Sequence, residues 1–191
     1  AMSTKKIELY TSIAVAFSRN PMILANLGYD LNLISEGRFI LGLGSQIRPH
    51  ITKRFSMPWS RPAARMKEMI EAIRAIWNCW QEGSELHFEG QFYSHTLMTP
   101  FFNPGKNPFG LPKIYVAAVG PMMTKAVAES ADGLLVHPFH TPRYMERVTL
   151  PIVQEGLNSA GREKSDFDFS ISVMTAAGLN EESFEKAIEV C

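Results

Sequence analysis

Five short apolar runs alternate along this chain with segments of helical period, and that alternation narrows the possible folds more than any other feature. The runs are Ile7 to Ala16, Arg38 to Gly44, Lys113 to Val119, Asp132 to Phe139 and Phe167 to Ala177, each read as a strand. After the first, Ile23, Leu24, Leu27, Leu31 and Ile34 recur at helical spacing until Gly37, which suits a left-handed C-cap. Met66, Met69, Ile70, Ile73, Ile76, Trp77 and Trp80 keep the same period along a longer helix. Further helices are predicted from Gly120-Pro121 to Ala131, from Thr141-Pro142 to about Gly161, and from Asn180-Glu181 onward. β-α units in series imply parallel strands joined by right-handed crossovers, in an open doubly wound sheet or a closed barrel. Five strands cannot close an eight-stranded barrel, so the expectation is an incomplete barrel whose open edges are covered by further residues or a partner chain.

One stretch breaks the alternation. Residues 83–112 are rich in glycine, proline and aromatics and hold no sustained period, so they are expected to form an insertion of loops with a hairpin at FEGQFY. Loops of this length in a compact domain are usually functional. The 191 residues, 46% of them hydrophobic, suit one domain over 1–191. With 19 basic and 19 acidic residues, nothing points to a nucleic-acid face. No apolar run reaches the roughly 20 residues of a membrane span, and residues 1–6 lack the apolar stretch of a secretory signal. Cys79 and Cys191 have no CxxC partners and read as thiols in a reducing compartment, so a cytoplasmic protein is expected.

In barrels and open parallel sheets alike, ligands sit at the C-terminal ends of the strands. Here those ends are Thr11-Ser12-Ile13-Ala14, Gly42-Leu43-Gly44-Ser45-Gln46, Ala117-Ala118-Val119-Gly120-Pro121-Met122-Met123 and His137-Pro138-Phe139-His140. At Gly120-Pro121 a strand turns into a helix whose first amides, on Met122, Met123 and Thr124, would face an anion with the help of the helix dipole. Gly-Pro is also simply a good strand-to-helix junction. Ala117 and Ala118 are small enough to leave room for a ring system. Gly42-Leu43-Gly44 lacks the third glycine of a dinucleotide fingerprint, and Ser45 and Gln46 can bond a ring edge or cap their own loop. His50, His87 and His95 are read as solvated, while His137 and His140 stand where a substrate would be, His137 being the candidate contact. Trp77 and Trp80 belong to the core, whereas Trp59 is a candidate pocket wall. No HxxxH, Cys/His cluster or spaced carboxylate pair marks a metal site. The residues alone therefore point to an α/β enzyme that binds a phosphate-bearing cofactor or substrate.

Several stretches together resemble one family. TSIAVAFSRNPMILANLGYDLNLISEGRFILGLGSQ is similar to the third and fourth barrel strands of luciferase-like monooxygenases, LISEGRFILGLG being the most specific part. RPAARMKEMIEAIRAIW resembles the next helix, FEGQFYSH the start of the family's insertion, and KIYVAAVGPMMTKAVAESADGLLVHPF strands five and six. The resemblance implies a luciferase-like (β/α)8 TIM barrel, incomplete in this chain, in which reduced FMN or the deazaflavin coenzyme F420 lies across the strand ends and serves oxidation or reduction of a small organic substrate. By position, Ser12 and Ile13 correspond to a strand-three bulge, often a non-prolyl cis peptide, behind the cofactor ring. Gly44, Ser45 and Gln46 correspond to ring-edge contacts, and Gly120, Pro121, Met122 and Met123 to the phosphate end. The family's proton-handling residues lie mainly on a strand outside this sequence, so no catalytic residue is assigned. The F420 branch looks closer, and Arg48, Lys53, Arg54 and Arg61 would suit that coenzyme's polyanionic tail. A homo-oligomer is expected, with the aromatic insertion (Phe88, Phe92, Tyr93, Phe101, Phe102) serving as substrate lid or subunit interface. The alternatives are a phosphate-binding barrel isomerase or lyase, and a truncated relative that binds flavin or dimerises without turnover.

Overall fold

The computed structural model describes residues 3–173 and 175–190. Cys191, and Met174 within the last expected strand, lie outside the described residues. The first expected strand is split into β1 (Leu9–Tyr10) and β2 (Ala14–Val15), and a short 3-10 turn follows at Ala16–Ser18. Asn20 then caps α1 (Pro21–Ile34) by accepting from the Ile23 amide. The helix ends as expected near Gly37, which has φ 82° and donates its amide to the Asn32 carbonyl. β3 (Phe39–Gly44) leads through a basic loop to α2 (Pro62–Glu82), which Gly83 closes in the left-handed region at φ 69°. Within the insertion, β4 (Phe88–Glu89) and β5 (Ser94–His95) form the predicted hairpin. β6 (Lys113–Ala117), α3 (Pro121–Ser130) and β7 (Gly133–Val136) restore the alternation. The next helix runs unbroken over 142–159, as expected, as α4 (Pro142–Tyr144) and α5 (Leu150–Ser159) joined by a π-helical turn at Met145–Thr149. β8 (Asp168–Ile171) and α6 (Glu181–Val190) complete the order.

The main sheet is parallel throughout and runs β1-β3-β6-β7-β8, with β2 also on β3. At about 4.8 Å per strand, a flat sheet would hold β1 and β8 roughly 19 Å apart. Instead, the Ser170 hydroxyl lies 3.3 Å from that of Tyr10, reaching across the inner face. The sheet is therefore curled into a half-barrel. Ile40, Tyr115 and Leu135 line the concave side with Ile13 and Ala117 packed on them. Leu41, Leu43, Ile114, Val116, Leu134 and Val136 face outward into the larger core beneath the helices.

The gap between β1 and β2 has a side-chain cause. The Thr11 hydroxyl donates to the Gly42 carbonyl at 2.7 Å and accepts from the Gly42 amide at 3.0 Å, taking the place of a backbone ladder rung. Next to it the Ser12–Ile13 peptide is cis. Farther down the inner face, the Asp168 carboxylate accepts from Lys113 Nζ at 2.7 Å and from the Tyr115 hydroxyl at 2.6 Å. The Lys113 hydrogen bond, then the Tyr115 one, hold Asp168 below its ordinary pKa of 3.8. Lys113 is raised, by its bond to Asp168 first, and Tyr115 is raised, by burial first. The depressed carboxylate stabilises the fold above its unfolded pKa and loses that contribution as pH falls below about 4; the raised lysine and tyrosine lose theirs as pH climbs past about 10. In urea titrations across pH, Asp168→Asn is expected to flatten the acid limb of stability. An unchanged acid limb would remove this network from the account.

The turn of the hairpin is held by one carboxylate. Glu68 of α2 accepts from the amides of Gln91 at 2.9 Å, Phe92 at 2.6 Å and Tyr93 at 2.8 Å, and it fills the space that a side chain on Gly90 would need. Glu68→Ala should cost about 1–3 kcal/mol and speed hydrogen exchange at residues 91–93, because those amides lose a charged acceptor. Exchange as slow as in the wild type would show that the hairpin is held by other contacts.

Candidate functional site

The C-terminal ends of the strands gather much of the chemistry. Ser12, Ile13, Ala117, Ala118, Val119, His137 and Ser172 line, with the ends of β7, a cavity of about 270 Å³. That is near the lower limit of ligand sites, room for a ring system but not for a whole dinucleotide-sized molecule. Four residues singled out from the sequence, Ser12, Ile13, Ala118 and His137, thus meet in one place. Val119 and His137 also border a second, wider and open hollow of about 480 Å³, walled by Phe139, His140, Thr141 and Tyr144.

Gly120, Pro121, Met122 and Met123 stand apart from that cavity. They face Arg61, Pro62, Ala63 and Ala64 across a cleft of about 480 Å³, where the first turns of α2 and α3 converge. The Thr124 amide, expected to be open, instead donates to the Gly120 carbonyl at 3.0 Å, because Gly120 is the N-cap and Thr124 closes the first helical turn. The amides of Met122 and Met123 have no acceptor four residues back in the helix, so the anion-facing pair is one residue shorter than predicted. Open space surrounds the position of a Cβ on Gly120, so a ligand can approach its backbone.

Gly44, Ser45 and Gln46 end β3 one strand over. A Cβ on Gly44 would sit 2.7 Å from Ile13 Cδ1, so this glycine makes room for the bulge itself. Ser45 donates to the Gln46 carbonyl at 3.1 Å, and the Gln46 side chain accepts from the Ile47 amide at 3.2 Å. Gln46 has φ 58° and is exposed. Both polar side chains thus cap their own loop here. Trp59 does not line the 270 Å³ cavity; it packs edge-on to Phe17 with ring centroids 5.7 Å apart. His95, expected in solvent, is half-buried, and burial lowers its pKa.

Two arginines organise this end of the molecule. Arg65 is buried, donates to the Tyr93 hydroxyl and the Pro58 carbonyl at 2.8 Å each, and lies 4.6 Å over the Phe17 ring. It ties the insertion and the basic loop to the turn after β2. Arg61 has φ 35°, stacks 5.0 Å over Phe92 and borders the α2/α3 cleft. Sequence reasoning had no signal for Arg65, whose role depends on distant partners. Tyr144, on the helix that Thr141 caps, lines the wider hollow, a place that its helical spacing does not reveal. Arg48, Lys53, Arg54 and Arg61 are all exposed, and none pairs with a carboxylate among the described residues.

Residues 1–189 match the luciferase-like monooxygenase family. The chain belongs to that family. An uncharacterised protein of Mycobacterium tuberculosis is 53% identical to this luciferase-like chain over 181 residues, which cover 95% of the chain and 53% of that protein. The chain thus spans about half the length of the curated relatives it matches. Among solved structures, the coenzyme F420-dependent tetrahydromethanopterin reductase of Methanopyrus kandleri superposes with a TM-score of 0.76 at 24% identity, covering 98% of this chain and 55% of that one. The FMN-bound oxygenating constituent of 3,6-diketocamphane monooxygenase from Pseudomonas putida gives 0.72 at 17% identity, covering 99% and 54%. The half-barrel seen here is therefore the luciferase-like barrel fold, shared with F420- and FMN-dependent enzymes. Among the described residues no helix is long and apolar enough to cross a membrane.

Proposed function

We propose that this chain supplies the ring and phosphate seats of an oxidoreductase that uses coenzyme F420, or FMN in its place, on a small organic substrate, by hydride transfer or monooxygenation. The observation that carries the reading is the grouping of Ser12, Ile13, Ala117 and Ala118 around one small cavity. The cofactor, when bound, supplies the hydride; the protein positions it and tunes its surroundings. In this reading Ser12 and Ile13 back the ring and the small side chains of Ala117 and Ala118 admit it, with Gly44 and the Ser45–Gln46 turn at its edge. The amides of Met122 and Met123, with Arg61 opposite, meet the phosphate. One domain over 1–191, with 83–112 as an insertion before the next strand, is part of the same proposal. So are a homo-oligomer and a cytoplasmic location; a monomer mass by light scattering would remove the oligomer.

Arg48, Lys53, Arg54 and Arg61 favour F420 over FMN, since only the deazaflavin carries a long polyanionic tail to meet them. The test is a titration of the protein with FMN and, separately, with oxidised F420, in the wild type and in Gly120→Asp. Gly120 has φ −83° with open space around a Cβ, so the substitution does not strain the fold. A carboxylate beside the phosphate should weaken binding about tenfold or more, equivalent to about 1.4 kcal/mol. Charge reversal at Arg54 and Arg61 should weaken F420 more than FMN. Equal affinity of wild type and Gly120→Asp would contradict the phosphate seat.

A further inference from the structure

The hollow beyond the 270 Å³ cavity has a chemistry of its own. Its walls are Val119, His137, Phe139, His140, Thr141 and Tyr144, around an open space of about 480 Å³. We propose that it is a substrate pocket for an uncharged aryl or cycloalkyl ketone, whose oxygen bonds the His137 imidazole. The inference rests on the cofactor reading above, because the pocket adjoins the proposed ring seat at Val119 and His137, which line both spaces.

Three observations support it. First, no Asp, Glu, Lys or Arg stands in the lining, so a charged substrate group would find no ion-pair partner there. Second, the walls are aromatic: the His137 and Phe139 rings lie 5.1 Å apart, and those of His140 and Tyr144 5.0 Å apart in an edge arrangement. Such walls suit a flat or cyclic apolar group. Val119 is 56% exposed and Phe139 74%, a large apolar surface that a bound ring would cover. Third, the turn from His137 to His140 commits one nitrogen of each imidazole. His137 Nδ1 accepts from the Phe139 amide at 3.3 Å, so the neutral ring carries its proton on Nε2 and offers a donor. His140 Nδ1 lies 3.1 Å from the His137 carbonyl and must carry the proton there, leaving its Nε2 as an acceptor. The uncharged oxygen of a carbonyl, which can only accept, matches the His137 donor.

The test follows the imidazole carbon-bound protons by NMR at pH 8, where an ordinary imidazole is neutral. The signals are assigned from His137→Gln and His140→Gln, and the probes are acetophenone and, separately, glycerol 3-phosphate. Saturable acetophenone shifts at His137 and His140, with His50 and His87 unmoved, are the expected result. Phe139→Asp, at an exposed position, should weaken acetophenone binding about tenfold or more by placing a charge against the ring. Tyr144→Leu keeps the wall apolar and should change it less. No saturable shift, equal shifts at His50 and His87, or preferential binding of glycerol 3-phosphate would overturn the pocket. Acetophenone shifts without cofactor support the pocket on their own. Cofactor binding without acetophenone shifts would overturn the pocket and leave the cofactor reading standing.

Discussion

Trp77→Ala is expected to cost about 3–5 kcal/mol, the range for removing a large aromatic from a core that cannot collapse around the gap. Trp77 is fully buried, and its indole N–H donates to the Ala25 carbonyl of α1 at 2.9 Å. The ring lies so close to α1 that a Cβ on Gly28 would come within 2.8 Å of its Cζ2. The indole therefore fills the crossing of α1 and α2, and its loss leaves a void that neither helix backbone can close. Urea denaturation reads the effect directly. A loss under about 1 kcal/mol would mean that the α1–α2 crossing is not the close fit described, since even a single methylene is usually felt in such cores.

Gly42→Ala should be the most damaging small-to-large change in the sheet, at about 3 kcal/mol, the upper end of typical overpacking costs. A Cβ there would overlap the Thr11 carbonyl oxygen, which is backbone and cannot turn aside. The same change would disturb the two Thr11 hydroxyl bonds to Gly42 that bridge the gap between β1 and β2. Gly44→Ala provides the comparison. The atoms nearest its Cβ would all belong to the Ile13 side chain, with Cδ1 at 2.7 Å, and the outer part of that side chain can rotate. Melting temperatures should therefore fall further for Gly42→Ala than for Gly44→Ala. The reverse order would contradict the arrangement of the bulge.

The alternation of strands and helices was legible because each element carries its own period. The α2 stripe from Met66 to Trp80 is buried just where its spacing places it. The FEGQFY hairpin was legible from its glycine and flanking aromatics. The split of the first strand was not, because IELYTSIAVA is β-prone throughout and no local pattern says that the Thr11 hydroxyl will replace a ladder rung. The π-helical turn at Met145–Thr149 leaves no mark in the hydrophobic spacing either. At the site, small residues at strand ends were readable, and Ser12, Ile13, Ala118 and His137 do meet. What sequence could not give was the separation of the Gly120–Met123 cleft from that cavity, or the approach of Arg61 to it, since both depend on how α2 and α3 pack. Trp59 looked like a pocket wall because it lies in a proline-rich loop; its place beside Phe17 follows from the Arg65 bridge, which joins residues far apart in the chain.

The central claim is that the cofactor ring lies against Ser12 and Ile13, with its phosphate at the start of α3. Backbone amide chemical shifts, recorded while oxidised F420 or FMN is added to the labelled protein, test it most directly. The account predicts saturable changes concentrated at Ser12, Ile13, Ala118, Gly120, Met122 and Met123. Changes centred elsewhere, on the hairpin or the outer face of α1, or none at all from the folded protein, would contradict it.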